Sequence, residues 1–161
     1  MIRSAAFEDL SVCLAVIRRS FATVAEEFGL TPENCPTHTS FMPLEKLQKH
    51  FDWGWQMFML IEGDVSVGFY GLSEKENGCF ELHNLAVLPE YRHHGYGRQL
   101  LEDAKRRVLE QGGNALEIGI IEEHTVLKNW YIANGFVPVG TKTFPHLPFT
   151  AGYLTCPLKT E

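Results

Sequence analysis

A short basic segment has the residue types and spacing best suited to chemistry. Residues 92–98 read Arg-His-His-Gly-Tyr-Gly-Arg and stand between a strand-like and a helix-like stretch. A helix entered through a glycine-containing loop has first-turn N–H groups without intrahelical partners. Those groups and the helix dipole attract an anion, and glycine lets it approach the backbone. The segment therefore predicts an anion-binding loop, to which Arg92, Arg98, His93 and His94 add positive charge.

Two common phosphate-binding motifs do not fit this loop. A P-loop needs Lys followed by Ser or Thr after its second glycine, and neither pair follows Gly97. A dinucleotide fingerprint needs a third small residue where Leu100 stands. A nucleotide-binding α/β protein is therefore the weakest of the functions that we consider.

Two side chains before the loop could move protons. Glu81 and His83 belong to the predicted strand Phe80–Val87, and alternate strand residues face the same way. We therefore expect both to share a face with Leu85 and Val87. A carboxylate near an apolar face has a raised pKa, and imidazole titrates near neutral pH. Glu81 is thus a candidate general base with His83 in reserve, although a solvated glutamate at a strand start is equally consistent with the pattern.

The elements around these residues predict a single α/β domain. Only the strand–helix–strand unit around the loop must be parallel, so we expect a mixed, mostly antiparallel sheet of about seven strands with helices on both faces. An N-terminal helix is predicted over about 7–28, interrupted near Thr23-Val24, with a second helix starting at Pro43. The remaining predicted strands are 2–4, 56–62, 65–72, 115–121, 136–143 and 149–156, and the other helices follow Tyr96 and Thr125.

Composition limits the possible partners. The 161 residues, 45% of them hydrophobic, suit one domain over 1–161, and the net charge of −6 argues against nucleic-acid binding. The four cysteines are scattered and form no C-x-x-C pair, so neither a metal site nor a disulfide framework is indicated. No signal peptide or membrane-spanning run is apparent, so we expect a cytoplasmic protein.

The pattern Arg92-x-x-Gly95-x-Gly97, after a strand ending in Ala-Val-x-Pro, resembles the acetyl-CoA pyrophosphate loop of the GCN5-related N-acetyltransferase (GNAT) superfamily. The segment Trp130–Phe136 and the element order across the chain also resemble that family. The resemblance implies acetyl-CoA as co-substrate and no metal. It further implies that an acetyl group passes to a primary amine by direct attack in a ternary complex.

The resemblance also assigns roles to residues. Backbone N–H groups from His93 to Arg98 would bind the pyrophosphate, and Leu85-Ala86-Val87, splayed from the next strand, would pair with pantetheine. The N–H of Val87 would bind the carbonyl oxygen, and Tyr131 would protonate the sulfur. His124 stands where the family usually has Asn, with Asn129 nearby on the helix. The predicted cofactor residues are Leu85, Ala86, Val87, Arg92, His93, His94, Gly95, Tyr96, Gly97, Arg98, His124, Asn129 and Tyr131.

The acceptor amine is less defined. In this architecture the acceptor loops come from the N-terminal helical region, the loop 29–42 and the final hairpin. Aromatic and acidic groups there would suit a cationic amine, either a small molecule or a peptide. The candidates are Glu26, Glu27, His38, Phe41, His83, Phe144, His146 and Phe149. A non-catalytic acyl-CoA sensor of the same fold is the alternative function, and a homodimer through the last strands is possible.

Overall fold

The computed structural model describes residues 1–159, and these form one seven-stranded sheet. The spatial order of its strands is β1-β2-β3-β4-β5-β7-β6. Only β4 and β5 are parallel, and every other pair is antiparallel, which confirms the predicted mixed sheet. The strands are β1 Ile2–Ser4, β2 Gln56–Glu62, β3 Val65–Glu74, β4 Cys79–Val87, β5 Ala115–Ile121, β6 Val137–Thr143 and β7 Thr150–Pro157.

Within residues 1–159, four α-helices cover the two faces of the sheet: α1 Leu10–Phe28, α2 Leu44–Asp52, α3 Tyr96–Glu110 and α4 Thr125–Ala133. Apolar residues of α1 and α2 share one buried cluster with β2 and the end of β4. Apolar residues of α3 and α4 form a second cluster with β3, β5 and β7. Helices therefore lie on both faces, as predicted.

The first helix differs from its prediction. It is continuous through Thr23-Val24, so the expected interruption is wrong, and it ends at Gly29, which has a φ of +64°. β-branched residues lower helix propensity only slightly, and burial of neighbouring positions such as Ser20 and Ala25 outweighs that cost. The chain from Leu10 to Phe28 is therefore a single helix.

A bulge in β4 changes which side chains share a face. The register between β3 and β4 shifts between Phe69 and Gly71, opposite Asn84, whose φ is +54°. A bulge adds one residue to a strand, so side-chain alternation is reversed beyond it. Before the bulge Leu82 packs with the α3 cluster, and beyond it Ala86 packs with the α1–α2 cluster.

Strand β6 forms one edge of the sheet, and all seven of its residues are exposed. Its pairing with β7 is irregular between Pro138 and Gly140. A proline and a bulge on an edge strand both hinder pairing with another sheet. Dimerisation through the last strands stays a prediction.

Candidate functional site

The parallel strands β4 and β5 separate to form a cleft. They pair only from Cys79 opposite Ala115 to Glu81 opposite Glu117. Beyond that point lies a cavity of about 750 Å³, lined on the β4 side by Leu82, Asn84, Leu85 and Val87 and on the β5 side by residues 118–121. The backbone edges that face this gap have no neighbouring strand, so they are free to bind a ligand.

The loop after β4 lies at the mouth of this cavity, and its backbone donors are free. Within residues 1–159, no N–H group from His93 to Arg98 donates a hydrogen bond to the protein. The first bond of the helix runs from the N–H of Gln99 to the carbonyl of Gly95, at 3.0 Å. Gly95 caps α3 with a φ of +82°, a conformation that favours glycine. Six consecutive N–H groups are therefore available to an anion, where the dipole of a fifteen-residue helix adds partial positive charge.

Arg92 lines the cavity, and its guanidinium is at the same time held by α1. Its guanidinium donates hydrogen bonds to the carbonyl of Ser20 at 2.8 Å and to the hydroxyl of Thr23 at 3.0 Å, both in α1. Burial lowers the pKa of Arg92 from its usual value. The side chain therefore connects the end of β4 to α1, because a half-buried guanidinium needs hydrogen-bond acceptors and α1 supplies them.

The other loop residues divide into two groups. His93, Gly95, Tyr96, Gly97 and Arg98 line the cavity. The side chain of His94 is exposed and does not line it, so only the backbone N–H of His94 is placed to contribute to the anion loop. The hydroxyl of Tyr96 donates to Glu62 at 2.6 Å and ties the start of α3 to the end of β2.

The N–H of Val87 points into the cleft. The N–H of Leu88 donates to the carbonyl of Val67 in β3, at 2.9 Å. Successive residues of a strand direct their backbone groups to opposite edges, so the N–H of Val87 faces away from β3, toward the gap. The side chains of Leu85 and Val87 pack against the α3 cluster, whereas that of Ala86 is buried against α1 and α2. By the same alternation the backbone N–H and carbonyl of Ala86 face β3, and Ala86 does not line the cavity, so the prediction that Ala86 contacts the cofactor finds no support in this geometry.

Tyr131 reaches the cavity from α4. The side chain is 5% exposed and lies edge-on to Trp130 and Phe136, with ring centroids 4.9 and 5.2 Å away. Its hydroxyl has no hydrogen-bond partner within the described residues, and burial raises the pKa of Tyr131 above its ordinary value. The hydroxyl thus stays protonated at neutral pH and can donate to a ligand.

Glu81 and His83 lie on the opposite face from Leu85 and Val87, so the predicted shared face is wrong. The bulge at Asn84 is the cause, and neither Glu81 nor His83 lines the cavity. Glu81 is at the apex of the cleft, in the last residue pair before the strands separate. Burial raises the pKa of its carboxyl group, which Lys75 at 3.9 Å opposes. The position and the raised pKa are compatible with a base at the apex.

The acceptor candidates divide in the same way. His38 and Phe149 line the cavity, as does Glu27 of α1, whereas Glu26 is exposed and does not line it. Phe41 is half-buried in the cluster at the end of α1, outside the cavity wall. Neither Phe144 nor His146 lines the cavity, because their loop holds them against each other at 5.6 Å and Lys142 covers Phe144.

Other cavity residues were not predicted from the sequence. Among them are Phe21 and Val24 of α1, together with Tyr153 of β7. Phe21 and Val24 are three positions apart on one helix face, a spacing that could have indicated them. Tyr153 gave no such signal, since it alternates with buried residues like any strand residue.

A family model matches most of the chain. The model is described as the acetyltransferase (GNAT) family, and the match covers residues 23–136. The chain belongs to that family. The matched range includes the cleft, the anion loop and Tyr131, so the GNAT resemblance predicted from the sequence is confirmed.

Individual relatives agree with this GNAT assignment. An amino-acid acetyltransferase of Pseudomonas putida is 33% identical over 94 residues, which are 56% of this chain and 20% of the relative. The chain thus spans about a fifth of that protein. The ribosomal-protein-S18-alanine N-acetyltransferase of Escherichia coli has a TM-score of 0.79 and 18% identity, with 100% of this chain and 95% of that chain covered. The PaiA N-acetyltransferase of Thermoplasma acidophilum, solved with coenzyme A, has a TM-score of 0.76 and 20% identity over 98% of each chain.

His124, which stands where the GNAT family usually has asparagine, contacts both α4 and α1. His124 is the N-cap of α4, and its Nδ1 accepts the N–H of Leu127 at 3.4 Å. Its Nε2 lies 4.0 Å from Glu27 in α1. His124 lines the cavity, whereas Asn129 is exposed and does not. His124 therefore joins the β5 side of the cleft to α1, opposite the contact that Arg92 makes from the β4 side.

Two general features concern the described residues as a whole. Over residues 1–159 no three His, Cys, Asp or Glu side chains are grouped so that they could hold a metal ion. In the same range, no helix has the length and apolar character needed to cross a bilayer.

Proposed function

We propose that the protein is an N-acetyltransferase that uses acetyl-CoA to acetylate a primary amine by direct attack. The main support is the row of six free N–H groups from residue 93 to residue 98 at the mouth of an open cleft. A coenzyme diphosphate supplies the acceptors that these donors lack. The pantetheine arm can then lie in the gap and pair with the free edge of β4 as an added strand.

Three groups of this chain each have one role in the proposed reaction. The amine nitrogen attacks the thioester carbonyl carbon, and negative charge develops on the carbonyl oxygen near the N–H of Val87. Glu81 accepts the proton that the ammonium group loses, directly or through water, as its raised pKa suits. The carbon–sulfur bond then breaks, and the hydroxyl of Tyr131 donates a proton to the departing thiolate. The second proton that the nitrogen loses as the amide forms returns through water to the tyrosinate.

We further propose a cationic acceptor with an apolar body, either a small molecule or a peptide. The cavity lining includes Glu27 and the aromatic residues Phe21 and Phe149. A carboxylate next to aromatic faces favours a cation over an anion. The four cysteines are free thiols, which fits a reducing compartment such as the cytoplasm.

A thiol-release assay with acetyl-CoA and a panel of amines and peptides tests this proposal. We expect Glu81→Gln to lower kcat by about 100-fold or more with unchanged coenzyme affinity, since general-base catalysis contributes on that scale. Glu117→Gln is the matched control, because Glu117 pairs with Glu81 in the sheet and binds the same Lys75, at 2.8 Å. Equal turnover in Glu81→Gln and the parent protein would remove Glu81 from the mechanism.

An acyl-CoA sensor is the second candidate, favoured by the absence of Glu81 from the cavity wall. A sensor would bind acetyl-CoA and be stabilised by it, but it would release no thiol with any amine. Thermal melting with acetyl-CoA, run beside the thiol-release assay, separates the two functions.

A further inference from the structure

The face of the sheet behind the cleft holds a stack of three aromatic rings. The indole of Trp55 lies between the imidazoles of His50 and His83, with centroid distances of 3.8 and 3.7 Å and interplanar angles of 15° and 13°. His50 is 8% exposed, and the side chain of His83 is 14% exposed. The stack therefore fixes the plane of the His83 ring.

Both nitrogens of that ring face a polar group. Nε2 lies 2.7 Å from the hydroxyl oxygen of Ser73 in β3. Nδ1 lies 3.6 Å from a carboxylate oxygen of Glu81. Ser73 and Glu81 are directly opposite each other in the register of β3 and β4, so all three side chains project from the same face.

The protonation state of the imidazole follows from its surroundings. Burial, with smaller contributions from His50 and Lys75, lowers the pKa of His83 to about 4, so the ring is neutral at neutral pH. A neutral imidazole has one N–H, and an ionised carboxylate can only accept. A proton on Nδ1 faces the carboxylate of Glu81 and leaves Nε2 to accept the hydroxyl hydrogen of Ser73, whereas the other tautomer would point a lone pair at that carboxylate.

We propose that His83 is a positioning residue for Glu81, a neutral imidazole whose Nδ1–H is held toward the Glu81 carboxylate by Trp55 and Ser73. The inference rests on the proposed function. It removes His83 as a reserve base, because the nitrogen that faces Glu81 already carries a proton and cannot accept another. A hydrogen-bond donor beside a carboxylate favours its ionised form. His83 thus offsets part of the effect of burial on Glu81.

Other charged groups face the same carboxylate. Lys75 lies 3.9 Å from Glu81 and favours its ionised form, whereas Glu117 of β5 opposes it. His50 is the ring at the α2 end of the stack, and burial, together with Lys46, lowers the pKa of His50. These groups are unchanged in the variants below, so any difference between the variants reports on position 83 or 73.

Two substitutions at position 83 separate its two nitrogens. His83→Asn places an amide group near the site of Nδ1, and His83→Gln places one near the site of Nε2. Titration of the Glu81 carboxyl group by ¹³C NMR, assigned with Glu81→Gln, measures the effect without any substrate. We expect the pKa of Glu81 to rise by about 1 pH unit in His83→Gln and to change by less than about 0.3 in His83→Asn. The acid limb of the pH–kcat profile should shift in parallel.

Ser73→Ala is the second test and stays available if either histidine variant fails to fold. Without the hydroxyl, Nε2 can take the proton, so the pKa of Glu81 should rise by less than in His83→Gln but by a measurable amount. An unchanged pKa of Glu81 in His83→Gln or in Ser73→Ala would overturn the proposal, as would a larger rise in His83→Asn than in His83→Gln. If the pKa of Glu81 shifts as expected while Glu81→Gln keeps full turnover, the positioning role stands and the catalytic role of Glu81 fails.

Discussion

Replacing Gly95 by alanine tests whether the loop holds a coenzyme through its backbone. Gly95 caps α3 with a φ of +82°, and a Cβ added there would have no heavy atom within 4 Å. The substitution therefore creates no clash within the protein, and its cost to folding is conformational. A left-handed conformation costs a non-glycine residue about 1–2 kcal/mol, which corresponds to a loss of roughly 3–8 °C in Tm for a chain of this size.

Gly112→Ala is a matched control at the opposite end of the same helix. Gly112 follows α3 with a φ of +79°, and a Cβ there also has no heavy atom within 4 Å. We expect both variants to lose a similar free energy of unfolding, measured by urea denaturation. They should differ in acetyl-CoA affinity, because Gly95 lines the cavity and Gly112 does not.

Isothermal titration calorimetry with acetyl-CoA gives the deciding measurement. In Gly95→Ala the new methyl group enters the space proposed for the diphosphate, or the loop shifts to relieve the strain and misaligns its N–H groups. Either change should weaken binding at least tenfold, about 1.4 kcal/mol, whereas Gly112→Ala should bind like the parent protein. Equal affinities in the two variants would refute a diphosphate site built from these backbone groups.

Three further predictions concern single positions. Tyr131→Phe should lower kcat by about 100-fold or more with a free energy of unfolding within about 0.5 kcal/mol of the parent, since the hydroxyl has no partner in the described structure; unaltered thiol release would exclude it as the acid. Folding lowers the pKa of His83 to about 4. The protein should therefore lose up to ~3 kcal/mol of stability as the pH falls from about 6.5 toward 4, because the unfolded state then binds a proton at His83 that the folded state does not. Urea denaturation across that range should show a flatter pH dependence in His83→Gln, and an identical slope would contradict the assignment. Asn84→Val should cost about 1–2 kcal/mol or more at a φ of +54°, whereas Asn84→Gly should stay within about 1 kcal/mol; similar denaturation midpoints for the two would argue against strain at the bulge.

Periodicity was enough to predict most of the fold, and the bulge explains the main error at the site. Apolar alternation located β4, and Pro89 with the glycines located its end and the start of α3. Strict alternation also placed Glu81 on the face of Leu85. A single residue in a left-handed conformation reversed that order, and Asn84, one of the few residue types that adopts this conformation readily, was the only local sign of it.

Arg92 and the acceptor residues show a second limit, which is long-range contact. The spacing of the motif placed Arg92 beside the anion loop, but its hydrogen-bond partners lie about 70 positions earlier in the chain, in α1. Glu26 and Glu27 look alike in the sequence, yet only Glu27 faces the cavity, because the rotation of α1 against the sheet decides which of two neighbouring residues points inward. Such contacts depend on how helices and strands pack against each other, and local sequence patterns do not predict that packing.

Because β4 and β5 separate, the backbone edges that face the cleft have no neighbouring strand. Under the proposed function the coenzyme supplies that missing strand, so acetyl-CoA acts as a structural component as well as a reactant. At a hundredfold excess over its Kd, a ligand that binds only the folded state adds about 2.7 kcal/mol to stability. We then expect the protein to last longer in a cell when acetyl-CoA is plentiful. Amide hydrogen exchange in β4 and β5 should be slowest under the same condition.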